Sequence, residues 1–204
     1  MPELATVRIS LESEHEFLLN DNRIRVEPTV FETDRLLVRL YEVEDARFVL
    51  DMYSRWDVQR FLGASPKPLQ TLEEATTAIH RWRSVSAQTP LLGVWAVTLR
   101  NGEAVGTVML KMAPLTSEQR PMPLSDEHEV GWHLHPGHWG HGYATEATAG
   151  ALKRAFDAGV DEVVALILPG NERSVHVAER LRMQHRGLTD RYYGLEAHLY
   201  QANR

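Results

Sequence analysis

One stretch past the middle of the chain changes its hydrophobic period from that of a strand to that of a helix. Apolar residues occupy alternate positions between residues 129 and 135, namely Val130, Trp132 and Leu134. This is the period of a strand with one buried face, and Pro136 with Gly137 ends it. The alanine-rich run from Ala144 to Ala158 is typical of a helix. The pattern therefore predicts a strand, a short loop and a helix in that order.

The periods of strands and helices also divide the rest of the chain into predicted elements. Further strand patterns occur at residues 36–40, 94–99, 104–111, 163–168, 186–190 and 197–201. Helical patterns occur at residues 44–53, 71–87 and 171–182. Together these elements predict an α/β (α+β) fold, in which a mixed sheet has helices on both faces.

Local signals support several of these boundaries. Thr71 with Glu74 three residues later forms a capping box, which predicts a helix start. Asn101 and Gly102 separate two alternating runs and predict a hairpin. Residues 114–126 contain three prolines and no periodicity, so they predict an exposed loop.

The first 31 residues differ from the rest of the chain. Val7, Ile9 and Leu11 alternate only weakly, so residues 1–31 are predicted to be an N-terminal arm or extension. Such an arm could pack on the following domain or on a second subunit, which leaves a homodimer open. Residues 32–204 are predicted to form one domain, because a chain of 204 residues can bury a core of ordinary size.

Composition and charge narrow the classes of function. A net charge of −6 and a pI near 5.9 argue against a nucleic-acid binder that uses a broad basic face. No apolar run approaches 18 residues, so no membrane-spanning helix and no membrane partner are expected. The absence of cysteine excludes disulfides and a thiol nucleophile.

The loop between the predicted strand and helix has features of an anion site. Gly140 and Gly142 precede the small residue Ala144 at the predicted helix start. Glycines permit close approach of a ligand to the backbone, and the first amides of a helix have no partner inside it. Such a loop suits a phosphate or pyrophosphate, although a tight strand-to-helix turn would use the same glycines.

Three other kinds of site fit this stretch less well. A Walker loop needs a lysine that the loop lacks. A dinucleotide fingerprint needs a third small residue where Thr145 stands, and its acid should end a strand, whereas Glu162 precedes one. The many histidines in this stretch suggest a zinc site. No cysteine accompanies them, however, and the histidine side chains need not converge, so no metal is predicted.

Several motifs in order resemble those of the GNAT N-acetyltransferases, in the branch of the ribosomal-protein N-terminal acetyltransferases. Residues 138–147, HWGHGYATEA, resemble the acetyl-CoA loop and the following helix. Residues 33–39 resemble the branch's opening strand, and residues 129–132 resemble its central strand. Residues 171–174 and 178–183 resemble the helix after the fifth strand. The resemblance implies the GNAT fold, a mostly antiparallel twisted sheet of about seven strands with splayed central strands.

The resemblance also implies the cofactor, acetyl-CoA, as a cosubstrate. The amides that hold its pyrophosphate would come from His138, Trp139, Gly140, His141, Gly142, Tyr143 and Ala144. Leu134 and its strand neighbours would pair with the pantetheine, and Asn171 would contact it or cap its helix. Gly137 stands where many family members have glutamine or arginine, so that side-chain contact is missing.

Three residues are candidates for the chemistry. Glu129 is the first candidate for the general base, directly or through water, and His133 on the same strand face is the second. Each could instead be structural. Many GNAT enzymes carry a tyrosine that protonates the leaving thiolate, but this chain has Ala178 there. Ser174, in the first turn of the same helix, is the candidate to assist the thiolate.

The resemblance implies direct acetyl transfer to a primary amine in a ternary complex, with the enzyme in the cytoplasm. The amine could belong to a protein N-terminus or to a small molecule. A non-catalytic acetyl-CoA sensor would keep the loop and lose the base. A nucleotide-dependent oxidoreductase would instead need NAD(P)H.

Overall fold

Eight strands form one sheet in the computed structural model, which describes residues 29–204. The strands are β1 (Thr29–Glu32), β2 (Leu36–Leu40), β3 (Gly93–Leu99), β4 (Ala104–Pro114), β5 (Leu124–Leu134), β6 (Glu162–Ile167), β7 (Gln184–Thr189) and β8 (Ala197–Asn203). The helices are α1 (Ala46–Ser54), α2 (Trp56–Gln59), α3 (Leu72–Gln88), α4 (Tyr143–Asp157) and α5 (Glu172–Arg180). Short 3-10 turns occupy Val43–Asp45 and Pro136–His138.

The sheet opens in its middle. Its strand order is β1-β2-β3-β4-β5-β6-β8-β7, and every neighbouring pair is antiparallel except β5 and β6. Those two parallel strands pair only where His128 meets Val163 and Glu129 meets Val164. Beyond that point β5 stays on β4 and β6 stays on β8, so the two strands diverge. The predicted mixed sheet with splayed central strands is confirmed.

Two apolar clusters lie on opposite faces of the sheet. Trp95 packs with α4 in one cluster, whereas the next residue, Ala96, packs with α1 and α3 in the other. This separation follows from the alternation of side chains along a strand. Fully burying a Val, Leu or Ile side chain contributes about 1.5–3 kcal/mol, so each face of the sheet gains from the helices that cover it. The predicted placement of helices on both faces is confirmed.

Strand β1 is the one strand that the sequence patterns did not predict. It extends the sheet beside β2 and begins at Thr29, three residues before the predicted domain start at Glu32. Phe31 of β1 packs on α4 at Gly150, where an added Cβ would overlap the Phe31 ring. Residues 1–28 lie outside the described part of the chain, so the arm predicted there stays a prediction.

Other predicted boundaries differ by a few residues. The predicted loop at 114–126 is shorter, because β4 runs to Pro114 and β5 begins at Leu124, where these two residues pair across a bulge. Helix α2 was not predicted, since four residues are too few to show a period. The capping box at Thr71 and Glu74 is confirmed. Among residues 29–204, no helix is long and apolar enough to cross a membrane.

Candidate active site

Two cavities meet where β5 and β6 diverge. The first, of about 800 Å³, is lined by the loop at residues 138–142, the start of α4 and the exposed side of α5. We call it the loop cavity. The second, of about 580 Å³, lies between β5 and β6 and is lined also by residues of α1 and α3. We call it the strand cavity. Six residues line both cavities: Phe61, Leu62, Trp132, His133, Asn171 and Ser174.

The loop adopts the backbone conformation that its glycines permit. Gly140 and Gly142 have φ values of 82° and 79°, in the left-handed region that other residues rarely enter. The amides of His138 and Trp139, expected to bind the pyrophosphate, instead donate inside the turn to His135 and Pro136. The amides of residues 140–145 have no acceptor among residues 29–204 and therefore remain for a ligand.

The first turn of α4 adds to the positive character of the loop cavity. Gly142 is the N-cap of this helix of 15 residues, so the partial positive charge of the aligned peptide dipoles lies at the cavity wall. The hydroxyl of Thr145, in the same turn, is buried and has no partner within the described residues. A buried donor of this kind costs free energy unless a ligand satisfies it.

Two histidines of the loop contact different acidic residues and do not converge on one point. His135 Nε2 lies 3.0 Å from an Asp51 carboxylate oxygen, and its Nδ1 accepts from the Gly137 amide at 3.1 Å. His138 Nε2 lies 3.4 Å from a Glu103 carboxylate oxygen. Within residues 29–204, no group of three or more histidine or carboxylate side chains is arranged to hold a metal ion.

Arg35 joins the opening strands to the start of α4. Its Nε donates to Glu146 at 2.6 Å, and its Nη1 donates to the His141 carbonyl at 3.0 Å. Thr33 Oγ1 also donates to Glu146 at 2.6 Å. Burial opposes ionisation of Glu146, but the hydrogen bonds from Thr33 and Arg35 outweigh it and lower the pKa of this carboxyl. These contacts hold the loop against the sheet. The sequence alone did not show them, because they join residues 106 to 113 positions apart.

Trp139 forms one wall of the loop cavity. Its indole Nε1 donates to the Leu134 carbonyl at 2.8 Å, which ties the loop to the end of β5. The Arg173 guanidinium lies 4.1 Å from the centre of its ring in a cation–π contact. Arg173 lies within the motif at residues 171–174, but the sequence predicted no role for its side chain. Its exposed charge lies beside the cavity that the loop amides line.

His133 stands at the junction of the two cavities. Its half-buried ring lies on the same strand face as Thr107, its register partner on β4. The hydroxyl of Tyr53, on α1, lies 2.9 Å from His133 Nδ1. No hydrogen bond to Nε2 is formed among residues 29–204. Burial, with a smaller effect of the Lys111 charge, lowers the pKa of His133 to about 4, so the ring is neutral at pH 7.

Glu129 lines the strand cavity but not the loop cavity. Its residue is only 4 % exposed, and its carboxylate accepts a hydrogen bond from the Tyr193 hydroxyl. Lys111 Nζ is 3.9 Å from the same carboxylate and 5.0 Å from the centre of the Tyr193 ring. Burial raises the pKa of Glu129 against the opposing effects of Lys111 and Tyr193. Tyr193 was missed from the sequence, since it is 64 positions from Glu129.

The start of α5 brings Asn171 and Ser174 to the junction. Asn171 is the N-cap, and its side-chain oxygen accepts from the Ser174 amide at 3.3 Å, as its capping interpretation predicted. The Ser174 hydroxyl is half-buried and has no hydrogen-bond partner within residues 29–204. Ala178 stands where many GNAT enzymes carry a tyrosine, and it is fully buried in the core. This position therefore offers no hydroxyl to the leaving thiolate.

Three aromatic residues near α2 and α3 differ in whether they reach the cavities. Phe61 lines both cavities, and Trp82 lines the strand cavity. Trp56 lines neither cavity and is 58 % exposed. It belongs to the short helix α2, which the hydrophobic pattern did not reveal.

The sequence matches the family model of the acetyltransferase (GNAT) domain over residues 35–184. The chain belongs to the GNAT family. This family transfers acetyl groups from acetyl-CoA, so this GNAT protein is an acyltransferase. The suspected resemblance is thereby confirmed, and the dinucleotide-dependent oxidoreductase is set aside.

Similar proteins agree with this assignment. An uncharacterised N-acetyltransferase of Bacillus subtilis, YoaA, is 24% identical over 179 residues, which cover 85% of this chain and 93% of that protein. The acetyltransferase structure from Agrobacterium tumefaciens has a TM-score of 0.69 at 24% identity, covering 87% of this chain and 95% of that one. A ribosomal L7/L12 alpha-N-protein acetyltransferase in complex with coenzyme A has a TM-score of 0.67 at 14% identity, with coverages of 86% and 98%. These two structures have the fold of this GNAT protein.

Proposed function

We propose that this GNAT enzyme acetylates a primary amine by direct attack on acetyl-CoA in a ternary complex. The observation that carries the proposal is the junction of two cavities at His133 and Ser174. The loop cavity would hold the cofactor, and the strand cavity would hold the amine. The amine nitrogen and the thioester carbonyl would then meet at the wall that both cavities share.

The cofactor contacts proposed for the loop cavity follow from its free donors. The amides of Gly140, His141, Gly142, Tyr143 and Ala144 would bind the pyrophosphate, with the Thr145 hydroxyl as a further donor. His138 and Trp139 would shape the loop rather than donate their amides. Leu134 at the end of β5 and Asn171 at the start of α5 would contact the pantetheine.

The proton on the amine limits which acceptors are easy substrates. A lysine side chain with a pKa near 10.4 costs roughly 4.6 kcal/mol to deprotonate at pH 7, whereas an α-amine costs about 1–1.4 kcal/mol. A base with a low pKa suits a nitrogen that becomes acidic only as it attacks the carbonyl. The pKa of about 4 for His133 therefore favours an acceptor that is already partly neutral.

We assign the general base to His133 rather than to Glu129. His133 lines both cavities, whereas Glu129 lies four residues along β5, roughly 13 Å away at about 3.3 Å per residue. Glu129 is therefore the second candidate, and it would act only through water or by its charge. Attack forms the C–N bond and breaks the C–S bond. The amine proton passes to His133 Nε2, and the Ser174 hydroxyl donates a hydrogen bond to the departing thiolate.

The acceptor is proposed as a protein N-terminal amine or a small-molecule amine. Relatives of known name include a ribosomal-protein-S5-alanine acetyltransferase and an FsC-acetyl coenzyme A-N(2)-transacetylase. The first name gives an alanine of a ribosomal protein as the acceptor, and the second gives a nitrogen, N(2). Use of acetyl-CoA supports a location in the cytoplasm.

A screen of amines with acetyl-CoA tests this proposal. Release of the CoA thiol is measured with peptides that have free N-termini, with amino acids and with small amines, each at pH 7 and pH 8. Amine-dependent release, with acetyl amide found by mass spectrometry, is expected. Acetyl-CoA binding without release across the panel would point to a sensor instead.

A further inference from the structure

A chain of buried hydroxyl groups runs from the interior of the sheet to His133. Tyr41 is 3.1 Å from the Gly106 carbonyl oxygen and 2.7 Å from Thr107 Oγ1. Thr107 Oγ1 is also 2.8 Å from the Tyr53 hydroxyl, which is 2.9 Å from His133 Nδ1. Tyr41, Thr107 and Tyr53 are each at most 5 % exposed, so water does not compete for these contacts.

The number of hydrogens available fixes the direction of donation along this chain of hydroxyl groups. It contains four contacts, but Tyr41, Thr107 and Tyr53 supply only one hydroxyl hydrogen each. The chain ends at a carbonyl oxygen, which can only accept. All four contacts are hydrogen bonds only if the fourth hydrogen is on His133 Nδ1. The opposite direction would leave Tyr41 without a hydrogen for the Gly106 carbonyl, and a typical intramolecular hydrogen bond contributes about 0.5–1.5 kcal/mol.

We propose that Tyr41, Thr107 and Tyr53 are positioning residues that hold His133 in its Nδ1–H tautomer, with the Nε2 lone pair free at the cavity junction. His133 Nδ1–H donates to Tyr53, Tyr53 to Thr107, Thr107 to Tyr41, and Tyr41 to the Gly106 carbonyl. The low pKa of His133 agrees, since a neutral ring carries one hydrogen and one lone pair. The chain thereby leaves at the junction the nitrogen that can accept a proton.

Ring packing keeps the members of the chain in place. Trp82, on α3, contacts both tyrosines, with ring centres 4.9 Å from Tyr41 and 5.6 Å from Tyr53. The Tyr53 and His133 rings meet edge to face at 5.7 Å. Because these rings come from separate elements, the chain exists only in the folded domain. The tautomer assignment stands on this geometry, whereas its catalytic consequence rests on the proposed role of His133.

Replacing Thr107 by valine breaks the chain without touching His133. The Tyr53 hydrogen then has no acceptor except His133 Nδ1, so the ring should change to the Nε2–H tautomer. The tautomer is read from ¹⁵N shifts in two-bond ¹⁵N–¹H correlation spectra of the full chain, with His133→Gln identifying the signals. Thr107→Val should also lower kcat/KM for the amine about 100-fold, near the lower limit for general-base catalysis. The affinity for acetyl-CoA should stay within twofold.

Matched variants separate the possible outcomes. Thr107→Ser keeps the hydroxyl and should restore both the tautomer and the rate. Tyr200→Phe removes a tyrosine hydroxyl outside both cavities and should change neither. If Thr107→Val fails to fold, Tyr53→Phe should give the same change of tautomer. An Nε2–H ring in the unaltered protein, or an unchanged tautomer in folded Thr107→Val or Tyr53→Phe, would overturn the hydroxyl chain. A changed tautomer with an unchanged rate would instead overturn His133 as the base.

Discussion

The two cavities are built in different ways, although they share a wall. The loop of the first cavity takes its shape from neighbours in sequence: Gly137 donates to His135 two residues away, and Trp139 donates to Leu134 five residues away. Distant contacts such as that of Arg35 with Glu146 then attach this loop to the sheet. The strand cavity depends on distant pairs: His133 contacts Tyr53 across 80 positions, and Glu129 contacts Tyr193 across 64. The first region offers mainly backbone amides to a ligand, whereas the second offers side chains whose protonation is set by burial. Cofactor binding and proton transfer should therefore respond to separate substitutions.

The largest effect is expected in the loop cavity. Gly142→Val places a β-branched residue at a φ of 79° and should turn the loop amides away from the phosphates. Loss of two hydrogen bonds to a charged group, at about 1.5–3 kcal/mol each, would weaken acetyl-CoA binding at least about 100-fold. Calorimetry with acetyl-CoA measures this loss, and circular dichroism checks the fold.

Gly159→Val is the matched control for this substitution. Gly159 has a φ of 90°, lies after α4 and lines neither cavity. Its replacement should cost similar backbone strain but leave acetyl-CoA affinity unchanged. Equal affinities in folded Gly142→Val and Gly159→Val would remove the loop from the binding site.

The next effect is expected in the strand cavity. His133→Gln should lower kcat/KM by about 10²–10⁴-fold, the usual contribution of a general base, with acetyl-CoA affinity unchanged. Because the pKa of His133 is near 4, the base is already deprotonated from pH 6 to 9. The rate in this range should therefore rise with the neutral fraction of the amine. Glu129→Gln is the comparison and should lose about tenfold or less. A larger loss in Glu129→Gln than in His133→Gln would return the role of base to Glu129.

The sequence predicted the features that depend on neighbouring residues and missed those that depend on distant contacts. The alternation at Val130, Trp132 and Leu134 and the positive φ of Gly140 and Gly142 are local properties, so the strand, loop and helix were predictable. Ser174 was found because a motif carries it. Tyr53, Thr107 and Tyr193 were not found, because only packing of α1, β4 and the turn before β8 brings them to the site. Strand β1 was missed because four residues show little period.

A smaller effect is expected at the shared wall. Ser174→Ala should lower kcat by about 10–100-fold, because a thiolate with a pKa near 8.5 leaves tolerably well without help. The measurement is kcat at saturating acetyl-CoA and amine. Acetyl-CoA affinity should change little, since the Asn171 cap remains. A loss below twofold would mean that the thiolate leaves without assistance from α5.

The smallest effect concerns the attachment of the loop to the sheet. Glu146→Gln removes the carboxylate that accepts from Thr33 and Arg35 and should lower the free energy of unfolding by about 1 kcal/mol at pH 7. The folded-state pKa of Glu146 is lowered, so its stabilisation is present above the ordinary pKa of about 4.3 and is lost as the pH falls below it. Urea unfolding at pH 7 and at pH 3.5 measures the difference from the unaltered protein.

Asp157→Asn provides the contrast for this carboxylate. It removes an exposed ion pair with Lys153 at 2.6 Å on the same helix. An exposed pair of this spacing contributes only about 0.3–0.5 kcal/mol. A Glu146→Gln effect no larger than this, or one that grows at low pH, would contradict the role of Glu146 in holding the loop.

The most direct test of the separation between binding and chemistry uses His133→Gln in two measurements on one preparation. Calorimetry gives the acetyl-CoA affinity, and rapid quenching gives the single-turnover rate of acetyl transfer to the best amine from the screen. We expect His133→Gln to keep its acetyl-CoA affinity within twofold of the unaltered protein and to transfer the acetyl group at least about 100-fold more slowly. Transfer at the unaltered rate, or a loss of affinity that matches the loss of rate, would contradict this separation.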